Sequence, residues 1–225
     1  AGSLIHSTAG HHGPPFLSSY APMPPVTKTL LIANVAVYLA QQFTGDVLVI
    51  WFALWPLATT ALGAPGMPAG FLPWQLVTYS FLHGNELHIL VNMLGLYMFG
   101  SEVERVLGQR RYVTYYFVSV LTAAVAQLVM SALNPGPPYP TVGASGGVFG
   151  LLLAYGMFFP RRIVMLIIPP IPMPARVFVF VYAAIELFLG VTGTQAGVAH
   201  FAHLGGMLGG WLMLRHWRRR RFDNA

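Results

Sequence analysis

Two pairs of side chains in this 225-residue sequence have the types and spacing to do chemistry together. Ser145 stands alone in the stretch "TVGASGGVFGLLLAYGMFF", residues 141–159, and His203 sits in "AHFAHLGGMLGG". A hydroxyl beside an imidazole is the pairing of nucleophilic catalysis, in which the ring takes the serine proton. His88 and Asn92, in "HILVN", are four residues apart and share one helix face. Both donate hydrogen bonds, as a group stabilising an oxyanion must. Ser145 alone has a simpler explanation, since small residues let helices approach closely in lipid. His83, Glu186 and His200 are the other candidate polar groups inside apolar stretches.

Those stretches are membrane helices. Of the residues 56% are hydrophobic and 8% charged, against about 25% charged in soluble domains. The expected architecture is an all-α polytopic membrane protein with six transmembrane helices, near 29–50, 86–107, 111–133, 144–160, 175–191 and 197–215. Breakers separate them: "NPGPPYP" at 134–140, "PPIPMP" at 169–174 and "GVTGTQAG" at 190–197. Residues 51–82, interrupted by Pro56, Pro65, Pro68 and Pro73, form a long interfacial first loop with Trp51, Trp55 and Trp74 at the membrane–water boundary. Residues 1–27 read as a disordered tail without a signal-peptide core, 28–217 as the membrane domain and 218–225 as a basic tail. With no cysteine there is no disulfide and no thiolate chemistry.

The net charge of +6 reflects topology. With both termini cytoplasmic, all twelve Lys and Arg fall on the cytoplasmic side of six spans. The run "RHWRRRR" then suits anionic lipid and needs no nucleic acid.

Helix rise gives each polar group a depth. Counted from the arginine at the cytoplasmic end of its helix, Ser145 stands about 24 Å up, His203 about 18 Å, Asn92 about 20 Å and His88 about 26 Å. Four groups from three helices thus share a layer above the midplane. Glu186, about 15 Å up, is expected to be neutral or hydrogen-bonded and structural. Gly143, Gly146, Gly147 and Gly150 surround the serine, and Gly206 and Gly210 follow His203 on its face, allowing the two helices to meet. His200, a turn earlier and about 60° round the helix, is expected to be a bystander.

"HGNELHILVN" (83–92), "GASG" (143–146), "AHLGG" (202–206) and the Glu104-Arg105-x-x-Gly108 element together resemble the rhomboid family of intramembrane serine proteases, over residues 28–217. The resemblance implies a rhomboid-like six-helix bundle and a Ser145–His203 dyad. It implies an oxyanion hole of His88, Asn92 and the Ser145 N–H, with His83, Gly143, Gly146 and Gly206 supporting. It implies hydrolysis of single-span transmembrane proteins near the outer face of a bacterial inner membrane, without metal or cofactor. The fifth helix and the 190–197 loop would act as gate and cap. No acidic third member is expected, so packing must orient the histidine, and Phe149, where many relatives have tyrosine, is placed to do so. Trp74-Gln75 stands where many relatives have Trp-Arg. Two alternatives are a silent client-binding relative, which typically lacks the serine or histidine, and a transporter, for which no internal repeat is evident.

Overall fold

The computed structural model describes residues 22–57, 70–134, 139–165, 170–193 and 199–223. The expected tail up to residue 21, the middle of the first loop and the second half of the 190–197 cap lie outside the described residues; the last three residues of the expected 1–27 tail, Pro25–Thr27, are helical. Side chains of the basic tail are described only as far as Arg219.

Helix α1 (Pro25–Thr44) opens with proline at its first position, where no backbone donor is needed. The next two N–H groups, of Val26 and Thr27, donate to the Glu104 carboxylate at 3.0 and 2.7 Å, and the Thr27 hydroxyl adds a bond of 2.8 Å. Glu104 therefore caps a helix 77 residues away in sequence. Because Glu104 is buried, Glu104→Ala would leave these donors unsatisfied. We expect it to lower the unfolding free energy by about 3 kcal/mol. Thermal unfolding in detergent reads this, and Glu104→Gln, which keeps an acceptor, should cost less.

The expected first helix, 29–50, is in fact two. Gly45 ends α1 with φ +57°, and the short α2 (Val47–Phe52) follows. The first loop then carries α3 (Gln75–Thr78) and a 3-10 turn, Tyr79–Phe81. Gln75 knots this loop: its Oε1 accepts from Trp55 N and Leu72 N, and its Nε2 donates to Trp51 O. Trp51 and Trp74 are exposed, but Trp55 is buried, its indole turned to the carbonyls of Val49 and Ile50. It is a core residue and not the boundary anchor expected.

α4 (Glu86–Gly95) passes through a π-helical turn, Leu96–Gly100, into α5 (Ser101–Leu107). The expected 86–107 helix is thus continuous but bulged where its neighbours press closest: a Cβ on Gly95 would strike Val148, and one on Gly100 the Tyr112 hydroxyl. After the turn at Gly108 (φ +73°) come α6 (Gln109–Leu133) and α7 (Ser145–Phe158). A hairpin of β1 (Ile163–Met165) and antiparallel β2 (Pro172–Pro174) leads into α8 (Ala175–Thr192) and α9 (His200–Asp223). α9 outruns its expected end at 215, and Trp217 on this extension lies beneath the Arg111 guanidinium.

α6, α7 and α9 form the centre. Their glycines face small or aromatic partners: Gly206 of α9 lies on the Gly146 backbone of α7, and Gly209 on Thr122 of α6. Gly210, expected to admit α7, instead accommodates Tyr115 of α6, whose hydroxyl bonds the Gly150 carbonyl at 2.7 Å. The outer surface is apolar, with Phe43, Leu90, Val125, Phe180 and Phe188 more than half exposed. Among the described residues, α6 and α8 are the two helices long and apolar enough to cross a membrane. At one end of the bundle Glu102 binds both Arg105 and Arg162 at 2.7 Å.

Candidate active site

Ser145 is the first residue of α7. The strand-like approach to it is fastened to the first loop. Leu54 and Thr141 exchange backbone bonds of 3.0 and 2.9 Å, and Gly143 N donates to Tyr79 O at 3.0 Å. Gly143 has φ +124°, a conformation that side chains disfavour. A Cβ there would lie 2.7 Å from His88 Nε2 and 3.6 Å from Ser145 Oγ, so histidine and serine border the same small space.

The serine Oγ lies 2.8 Å from Nε2 of His203, in the first turn of α9. The two helices can come this near because Gly206 meets Gly146 without an intervening side chain. Phe149, one turn below the serine, lies flat on the His203 ring, with centroids 4.3 Å apart and planes 4° from parallel.

The expectation that no acid reaches this histidine is overturned. Glu186 of α8 sets its Oε2 2.9 Å from His203 Nδ1, and the same oxygen lies 2.7 Å from His200 Nδ1. His200 is therefore joined to the site through a shared carboxylate. Counting helix rise locates Cα atoms, and it missed a contact made by reach. The signal was present: two histidines three apart on one helix face can supply the donors a buried acid needs.

On the other side of the serine, His88 N donates to Asn85 Oδ1, capping α4. His88 Nδ1 accepts from Gly84 N at 3.4 Å, which leaves the proton of the neutral ring on Nε2, the atom beside Gly143. Asn92 is buried and gives one amide hydrogen to the His88 carbonyl at 2.9 Å. His83 packs edge-on against His88, ring centroids 5.1 Å apart. Burial, then its histidine neighbour, pushes His83 down to about 4, so it is neutral at physiological pH.

Glu186, His200 and His203 also bring three potential metal ligands within 4.8 Å of one another. A tetrahedral zinc ion holds its donors about 3.3 Å apart. The 2.7 and 2.9 Å contacts are those of shared protons.

The family model for the rhomboid domain matches residues 70–220. The chain belongs to the rhomboid family. Within that family it is 30% identical over 140 residues to the rhomboid protease GluP of Bacillus subtilis, covering 61% of this chain and 25% of the relative. It is 28% identical over 207 residues to the rhomboid protease GlpG of Photorhabdus laumondii, covering 89% of this chain and 64% of that protein. To GlpG of Yersinia pestis it is 27% identical over 193 residues, covering 84% and 61%. The chain spans less than two thirds of the length of these curated relatives. Every residue of the site but Glu186 lies in a stretch that carried the rhomboid resemblance or beside one; Glu186 lies in none.

Proposed function

We propose that this chain is an intramembrane serine endopeptidase, and the observation that carries this reading is the 2.8 Å contact between Ser145 Oγ and His203 Nε2 inside an apolar-surfaced helical bundle. Ser145 Oγ attacks the scissile carbonyl carbon while His203 Nε2 takes its proton. The oxyanion is held by the Ser145 N–H, which has no acceptor within its own helix, by the His88 Nε2–H and by the second amide hydrogen of Asn92. The C–N bond breaks as Nε2 returns the proton to the leaving amine. Water, deprotonated by the same nitrogen, then releases the acyl group from Ser145.

Six rods, α1, α4–α5, α6, α7, α8 and α9, cross the bilayer as a membrane domain over 28–217. The arginine-rich end, the residues ahead of α1 and the basic C-terminal segment face the cytoplasm of a bacterial cell, and the serine lies towards the outer face. Substrates are single-span proteins whose helix opens near a small residue, so that an extended strand reaches Ser145. The bacterial relatives named rhomboid proteases support both the reaction class and the membrane setting.

Purified protein should react with a fluorophosphonate at Ser145 and cleave a single-span substrate in proteoliposomes. Protein that folds and binds such substrates but neither reacts nor cleaves would make this a client-binding rhomboid relative instead. Asn92→Ala should slow cleavage by about tenfold to a hundredfold, less than the loss of about 10²- to 10³-fold seen elsewhere for one oxyanion donor, because two donors remain. Loss of all activity in a folded Asn92→Ala protein would exclude that shared role.

A further inference from the structure

The serine reading above leaves the buried carboxylate of Glu186 without a part. Glu186 stands on α8, a helix that carries neither Ser145 nor His203. Its neighbours Ile185, Leu187 and Phe188 are exposed on the apolar surface, whereas Glu186 turns inward and is 8% exposed. A carboxylate in such a setting is costly unless donors meet it. Two do, and both reach one oxygen.

We propose that Glu186 is the positioning residue of the site, making it a Ser145–His203–Glu186 triad in which His200 anchors the carboxylate; this rests on the serine-protease reading above. For His203 Nε2 to accept the serine proton, the neutral ring must carry its hydrogen on Nδ1. Glu186 Oε2, 2.9 Å away, is the acceptor that favours this tautomer. Phe149 fixes the plane of the ring but does not distinguish its two edges, since a 180° flip keeps the stack. The carboxylate makes that distinction. It also faces the positive charge that forms on the imidazole as the serine proton arrives. His200, 5% exposed at its side chain, donates to the same oxygen at 2.7 Å and holds it in register. Among the described residues its buried Nε2 has no hydrogen-bond partner, so the one side-chain hydrogen bond it makes there is to this carboxylate.

The test compares wild type, Glu186→Gln and Glu186→Ala, with Ser145→Ala as the control for the underlying reading. Fluorophosphonate labelling and cleavage by wild type, both absent in Ser145→Ala, establish the nucleophile independently of Glu186. Glu186→Gln keeps shape and an acceptor but loses the charge; we expect kcat to fall about 10²- to 10⁴-fold with KM within about twofold. Nitrogen-15 NMR of histidine-labelled protein, with the His203 signal assigned by His203→Ala, should show Nδ1–H in wild type and a growing Nε2–H population in Glu186→Ala. If Glu186→Ala fails to fold, Glu186→Gln carries the kinetic test alone. Wild-type kcat in folded Glu186→Gln, or an Nε2–H tautomer in wild type, overturns the triad while leaving the nucleophile intact. Absence of labelling in wild type overturns both.

Discussion

Ser145→Ala should abolish cleavage of a transmembrane substrate while leaving the protein folded. Among the described residues the hydroxyl makes one side-chain hydrogen bond, to His203 Nε2, and alanine suits the first turn of α7 as well as serine does. The loss of stability should therefore be about 1 kcal/mol, the net worth of one hydrogen bond. The loss of turnover should reach about 10⁶-fold, the scale seen when a serine protease loses its nucleophile. That is about 8 kcal/mol of transition-state stabilisation. Turnover in proteoliposomes and the melting temperature in detergent separate the two effects. Wild-type-like cleavage by the alanine variant would falsify the role of Ser145.

The second large effect divides the histidines. His203→Ala should be as inactive as Ser145→Ala and should not react with a fluorophosphonate, because no other ring nitrogen is within hydrogen-bond reach of Ser145 Oγ among the described residues. His200→Ala should keep at least about a tenth of the activity, since Glu186 still bonds His203. Both variants are measured side by side on one substrate, with melting temperatures as the folding control. An active His203→Ala beside an inactive His200→Ala would mean that the base is the other ring.

Much of this geometry was legible from residue order. Arginines mark one end of every rod but α1, which has Lys28, so counting from them brought Ser145 and His203 to neighbouring depths, and glycines at 146 and 206 marked where two backbones touch. The α6, α7 and α8 helices begin and end within two residues of their expected bounds because proline and glycine clusters bracket them. Features set by tertiary contact were not legible. Nothing local announces that the helix over 86–107 bulges at Leu96–Gly100, where Gly95 and Gly100 lie close against Val148 and Tyr112 of other helices. Glu186 was assigned a structural role because its depth was measured at the backbone, while its carboxylate extends to a histidine on the next rod. Trp55 has the composition of a boundary residue and the position of a core one, which only its indole contacts with Val49 and Ile50 decide.

The attachment of the serine's approach strand to the first loop bears on how far this chain can be trimmed. The family-defined stretch, 70–220, holds Ser145, His203, His88, Asn92 and Glu186. It excludes Leu54, whose backbone pairs with Thr141 just ahead of the serine, and Thr27, which satisfies the buried Glu104. A fragment starting at Gly70 would keep every reacting group and lose two of the braces that hold them. Catalytic completeness and autonomous folding therefore have different boundaries in this chain, and minimised versions for engineering or for reconstitution from split halves should retain residues from Pro24 onwards.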